Sequence, residues 1–271
     1  MNQFLNRGDA PFGDDVWDLI DKTVTSVASQ ALCGRRLLSL EGPYGLGVKS
    51  ISMHDEKFSE ESGDNITLIS AKSVPLSLIS SNFTLDGRDL DLFTSSGVLF
   101  DMKDLVSSVL VCAQKEDNLI FNGSKALGLS GLNNSNGVLS SKLKPWKQIG
   151  DAAESVIEGI DQLDKAGFHG PYTLALAPKL YNSLFKRYPQ EEVLEIEHLN
   201  ALVSDGIIKA PVLQDGGVLV AYGAQFASIA LGQDLMTAFE GPSGREYVFV
   251  VSESIALRVN VPESICVLKP A

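Results

Sequence analysis

DMKDLVSSVLVCAQKEDNLIFNG, residues 101–123, decides the fold class. Asp101 stands as a cap, Leu105, Val106, Val109, Leu110 and Ala113 recur at helical spacing, and Gly123 follows Phe121, which predicts a long amphipathic helix. Such a helix has one apolar stripe and needs a layer to lie on. Upstream, Trp17, Ile20, Val24, Val27 and Ala31 follow at i, i+3, i+7, i+10 and i+14. Asp14 or Asp15 serves as cap and Gly34 as stop, so the spacing predicts a helix over 15–33. Downstream, the last fifty residues read as β: Phe226 to Leu231, Tyr247 to Val251, and Ile255, Leu257, Val259 and Val261 in strict alternation.

The segments between fill in the layers. Val48 to Val74 alternates weakly around a charged, glycine-containing middle, His54 through Asn65, and predicts a long two-stranded excursion. Leu76 to Leu85 is nearly free of charge and suits a buried strand, while Gly128 to Gly137 is the best linker candidate. A third helix over 147–165 shows Ile149, Ala152, Val156, Ile160 and Leu163 and ends at Gly167. A strand from Tyr172 to Ala177, short helices over 178–186 and 190–203, and strands over 207–213 and 217–222 complete the chain. Helices and strands mix without a βαβα rhythm, so the class is α+β.

Composition narrows the function. The chain has 271 residues, 44% of them hydrophobic, with 22 basic against 34 acidic side chains and a net charge of −12. A mean hydropathy of +0.09 and a pI of about 4.7 describe an ordered globular protein. That charge argues against binding nucleic acid or an anionic membrane with the whole surface. Cys33, Cys112 and Cys266 are odd in number, far apart and set among apolar neighbours, which predicts reduced core thiols in a cytosolic protein. Asp9, Asp14 and Asp15 stand where a signal peptide needs a basic and then an apolar run, and no window is apolar enough to span a membrane.

Motifs for chemistry are absent. Gly42-Pro-Tyr-Gly-Leu-Gly47-Val-Lys49 places Val48 where a phosphate loop needs its lysine, so a glycine-bearing turn is the better reading. His54, His169 and His198 lack the spacing to share a metal, and Glu191, Glu192, Glu195 and Glu197 read as the solvated face of a helix. Gly128-Leu-Ser130-Gly131 lacks the fifth residue of a nucleophile elbow. No catalytic residue, metal site or cofactor is expected.

The order of short motifs carries more. Phe4-Leu5 with Arg7, Ala10-Pro11, Trp17 and Ile20-Asp21, then Gly34-Arg35-Arg36, Glu41-Gly42-Pro43-Tyr44-Gly45 and Phe83-Thr84-Leu85-Asp86 run in register with one family. Glu116-Asp117 with Ile120-Phe121 and Gly123, Gly170-Pro171-Tyr172-Thr173-Leu174 and Leu231-Gly232-Gln233-Asp234-Leu235 continue it to about residue 268. The chain resembles the family 1 (linocin-like) encapsulin shell proteins. The resemblance implies the fold of tailed-phage major capsid proteins, of Hong Kong 97 type. A peripheral domain would take 1–47, 75–135 and 223–271, an extended loop 48–74 and an axial domain 136–222.

It further implies a structural subunit, not an enzyme, that self-assembles into a closed icosahedral cage in the bacterial cytoplasm, sixty copies in the smallest such shell. The partners implied are other copies of the chain and a cargo enzyme bearing a short C-terminal targeting peptide, with neither nucleic acid nor membrane. The cargo pocket would involve Ile20, Val24, Val27 and Ala31 on the first helix, Arg35, Ser39 and Leu40 after it, and Leu231 on the sheet. Ser39 stands where relatives commonly have Asp. A five-fold pore would be lined by Lys186, Arg187, Tyr188, Pro189 and Gln190, on a loop shorter than in relatives. Gly87-Arg88 replaces a tryptophan on which some relatives could stack a flavin, so no flavin is expected; Leu46-Gly47 stands where relatives usually have Trp-Glu, a departure that bears on local geometry only. Within the fold the alternative is a phage or prophage major capsid protein; outside it, a soluble enzyme with an unrecognised site.

Overall fold

Helix α1 (Asp14–Ala31) buries Val16, Trp17, Ile20, Val24 and Ala28 on one face. In the computed structural model, which describes residues 3–53, 61–63, 66–68, 72–187 and 193–270, its N-cap is Gly13, not an aspartate. Asp14 and Asp15 lie in the first turn, where negative charge favours the helix dipole. Gly34 does not merely stop α1; it opens a separate short helix, α2 (Gly34–Leu37). Strand β1 (Ser39–Glu41) follows.

The expected excursion is two-stranded where described: β2 (Ser50–Ser52), β3 (Glu61–Gly63), β4 (Ile66–Leu68) and β5 (Ser73–Pro75), with β2 antiparallel to β5 and β3 to β4. Strand β6 (Ser77–Asp86) is not wholly buried as expected. It is an edge strand, so Ile79, Phe83 and Leu85 face the core while Leu78 stays 63% exposed. Helix α3 (Gly87–Ser96) was not foreseen; Asp86 caps it by accepting the Arg88 N–H, and Gly97 ends it at a φ of 72°.

Helix α4 (Lys103–Asn122) carries the opening stretch. Leu105, Val109, Cys112, Ala113, Glu116 and Ile120 face inward. Leu110, expected inside, is 46% exposed, because the unbroken run Val109-Leu-Val-Cys-Ala113 hides the phase of the stripe. The expected linker is a knitted loop: Leu132 is fully buried, Asn134 accepts the Gly131 N–H and Asn133 donates to Asn122. A Cβ on Gly131 would lie 2.4 Å from the Gly123 nitrogen, so only glycine permits this crossing.

Next come β7 (Leu139–Leu143), α5 (Asp151–Lys165), β8 (Tyr172–Leu176), α6 (Pro178–Ser183), α7 (Glu195–Leu202), β9 (Ile207–Lys209) and β10 (Gly217–Ala221). Glu195 departs from the solvated face expected of it: it is 3% exposed and accepts the Gly150 N–H at 2.8 Å, tying α7 to the start of α5. The chain ends with β11 (Ala227–Ser243), β12 (Glu246–Val259) and β13 (Ile265–Pro270).

Two larger sheets result. One runs β1-β11-β12-β6 under α1 and α4; the other runs β7-β13-β10-β8-β9, with α5 and α7 on one face. Strand β13, expected with the peripheral segment, is hydrogen-bonded between β7 and β10 in the second sheet. One apolar core joins α1, α4 and the first sheet to the near face of the second, and a smaller core lies on that sheet's far face. Rings anchor the start of α1: Phe83 stacks on Phe249 at 5.1 Å, Trp17 meets Phe249 edge-on at 5.8 Å, and Arg7 lies over Trp17 at 4.5 Å. All three cysteines are free and buried.

Candidate functional site

Helix α1 and strand β11 leave a cleft of about 240 Å³ between them. Its apolar floor is Val24, Ala28 and Leu32, three residues at i, i+4 and i+8 on one helical stripe. Its opposite wall exists because β11 is irregular. The ladder with β12 shifts register between Leu231 and Met236, which takes Asp234 and Leu235 out of the pairing and turns them to the cleft. Arg35 and Arg36 complete the rim.

Arg35 is held from behind. Its Nε and Nη2 donate to the two Glu116 oxygens at 2.8 Å each, Nη2 also reaches Glu253 Oε2 at 2.8 Å, and Nη1 reaches Asp234 Oδ1 at 2.6 Å. The Glu116 and Glu253 side chains are fully buried, whereas that of Asp234 is 57% exposed. Burial by itself would lower the Arg35 pKa, but hydrogen bonds and charge from Glu116, then Asp234, hold it above its ordinary value. One guanidinium cannot neutralise two buried carboxylates as well as Asp234. Burial first, and then the Glu116 charge, push Glu253 well above the carboxyl range, so it stands as a neutral acid at neutral pH. Its Oε1 has no hydrogen-bond partner among the described residues.

Asp117, next to Glu116, fixes the joint between α1 and α2. It accepts the Gly34 N–H at 2.7 Å, the Cys33 N–H at 3.0 Å and the Cys33 thiol at 3.0 Å. Burial raises its pKa, and the bonds from Cys33 and Gly34 pull the other way. Burial and then Asp117 push the Cys33 thiol far up, and burial alone raises Cys266 to about 11. These thiols are poor nucleophiles.

Of the residues expected at the cleft, Val24 and Arg35 line it. Val27 and Ala31 are half-buried against the core; Ile20 and Leu231 are 0% and 5% exposed and pack inside it. Ser39 and Leu40 lie on β1, paired with Ser228 and Ile229 of β11, and Leu40 is 47% exposed. Ala28, Leu32, Asp234 and Leu235 line the cleft without having been named. Ala28 and Leu32 were legible as the continuation of the α1 stripe; the bulge that presents Asp234 was not. Gly42, on the turn before the excursion, has a φ of 108°, and a Cβ there would lie 2.4 Å from the Leu231 carbonyl. That turn therefore lies against β11 instead of cradling a phosphate. Lys186 and Arg187 are exposed, and the ends of their loop are held by a bridge between Arg187 and Leu194. Tyr188, Pro189 and Gln190 lie outside the described residues.

An apolar trough with fixed charge on its rim suits a short extended segment better than a reacting substrate. Residues 1–256 match the family described as encapsulating protein for peroxidase. The chain belongs to the family 1 encapsulin shell proteins. The type 1 encapsulin shell protein EncA of Myxococcus xanthus is 31% identical over 281 residues, covering 100% of this chain and 98% of that protein. A diheme-cytochrome-encapsulin shell fusion protein of Kuenenia stuttgartiensis is 28% identical, over 93% of this chain and 72% of the fusion. In three dimensions the virus-like particle of Pyrococcus furiosus superposes with a TM-score of 0.74 at 20% identity, covering 94% of this chain and 99% of that one. The capsid of Myoviridae phage XM1 superposes at 0.60 and 13% identity, over 88% and 90%. The fold is that of tailed-phage capsids, and the encapsulin subunit is a structural tile, not an enzyme.

Proposed function

We propose that sixty copies of this encapsulin subunit close into an icosahedral cage in the cytoplasm, and that the cage encloses a cargo enzyme while admitting small molecules through pores. The observation that carries the cargo part is the cleft: an apolar floor on α1 with Arg35 and Asp234 fixed at its rim. A short apolar peptide at the cargo's C-terminus would lie along Val24, Ala28 and Leu32, with backbone and polar groups meeting the rim. Fusions of shell and cytochrome or ferritin-like sequences among the relatives support the pairing of shell with enzyme. The first sheet with α1, α3 and α4 would form the peripheral domain, the excursion of β2 to β5 the extended loop, and the second sheet, β13 included, the axial domain. Lys186 to Gln190 would then line the pore at the five-fold axis, with no nucleic acid and no membrane as partner.

The test is co-expression. An enzyme encoded beside the shell gene and ending in a short apolar tail donates that tail to a fluorescent protein, and particles are isolated by size exclusion and viewed by negative stain. Hollow megadalton particles carrying fluorescence are expected. Ala28→Trp, which fills the floor, should abolish the fluorescence and leave the particles; retained fluorescence would remove the cleft from the proposal, and a monomer or dimer would remove the cage.

A further inference from the structure

The second sheet carries a surface that the cleft does not use. Beyond the end of β7, Leu143, Trp146, Leu180 and Pro270 wall a hollow of about 340 Å³, with Lys147, Lys179 and Asp215 at its edge, Asp215 accepting the Gly216 N–H at 2.8 Å. Lys144 also lines it but is engaged by Glu158 at 2.8 Å, whereas Lys147 and Lys179 have no carboxylate partner among the described residues. The Trp146 N–H donates to Ser155 Oγ at 3.1 Å, which fixes the indole as a wall. Two ammonium groups with no salt-bridge partner among the described residues, against the single carboxylate of Asp215, leave the hollow's edge net positive and fit an apolar knob flanked by carboxylates.

Helix α5 presents such a knob. Ile157, 43% exposed, has Glu154 three residues before it and Asp161 four after, all exposed on one helical face. This knob cannot reach its own hollow. Ser155 faces Trp146, and Ile157, two residues on, points about 200° away around the helix. The acidic stripe around this exposed isoleucine is complementary in charge to the hollow's edge but faces away from it on the same chain.

We propose that Ile157 seats in the hollow of a neighbouring subunit, with Glu154 and Asp161 facing that copy's Lys147 and Lys179. The proposal rests on the cage reading above and names one of its contacts. Knob and hollow are different surfaces of one chain, so the contact runs head to tail, the arrangement that closes rings. The four charges are exposed, so reversing them should leave the fold intact, as an unchanged thermal melt of each variant would show.

Glu154→Lys with Asp161→Lys, and separately Lys147→Glu with Lys179→Glu, should each raise the subunit concentration needed for assembly about tenfold. The combined four-residue swap should restore assembly to within about threefold of the unmodified protein. Assembly of both reversed pairs as in the unmodified protein, or a swap no better than either pair, overturns the contact. Failure of the unmodified protein to form particles counts against the cage itself. The contact is then read by Ile157→Cys with Ser183→Cys, the latter on the hollow's wall. Under a thiol oxidant this variant should give covalently linked multimers and Ile157→Cys alone none; monomer from both overturns the proposal.

Discussion

Asp117 shows how one side chain sets the geometry of the cleft. It is 3% exposed and answers the donors at Cys33 and Gly34, so the chain turns between α1 and α2 where Arg35 must face Glu116. Asp117→Ala would leave those donors buried and unanswered, and should cost about 3 kcal/mol in urea unfolding, with Asp117→Asn intermediate. Gly34 admits no Cβ without meeting Ile120 at 2.7 Å, so Gly34→Ala should destabilise as well. At the same joint, burial first and then the charge of Glu116 oppose ionisation of Glu253, although Arg35 reaches it at 2.8 Å. Glu116→Gln leaves Arg35 one acceptor oxygen in place of two and should cost about 3 kcal/mol, whereas Glu253→Gln replaces a neutral acid by a neutral amide, so it should match the unmodified protein within about 1 kcal/mol at acid pH and be the more stable of the two at neutral pH, where only the unfolded glutamate ionises. The folded-state pKa of Glu253 is raised, so its share of stability is present at acid pH and is lost as pH climbs above the carboxyl range. Stability measured from weakly acid to alkaline pH should therefore fall with pH, and less steeply in Glu253→Gln.

Among the elements, the β2 to β5 excursion contributes least to the subunit. None of its described side chains at 50–53 and 72–75 is buried. Replacing residues 54–71 by a short glycine-serine turn should shift the melting temperature of the subunit by only a few degrees. Closed particles should be lost, as size exclusion would show, because paired arms of this length need a neighbour to be stable. Helix α4 and strand β6 bear the same mark of unfinished packing, with Val111 at 55% and Leu78 at 63% exposure. These elements were the most legible in the sequence wherever a single stripe repeats, as in α1 and α5. Legibility failed at α3, whose Asp-Leu-Asp-Leu pattern alternates like a strand although a side-chain cap makes it helical, and at the Gly128 to Gly137 loop, whose turn residues are locked by asparagine bonds made back to the end of α4.

At the scale of the whole molecule, charge and apolar surface act together. A subunit of net charge −12 that leaves Leu110, Val111 and Ile157 in water has solubility from the first and association from the second. Particles purified without nuclease should show the ultraviolet spectrum of protein alone, since a net charge of −12 per subunit opposes retention of a polyanion. The sequence by itself determined the α+β class, the buried thiols, the two long helices and, through the order of its motifs, the encapsulin family; each is a matter of local spacing or of residue identity. Only the tertiary structure decided that β13 crosses into the second sheet, that a bulge in β11 turns Asp234 toward Arg35, and that Glu253 is a neutral acid. Those outcomes depend on which distant residues share a buried volume. A spacing within one segment carries no record of the dielectric, the charges or the unpaired strand edge that another segment supplies.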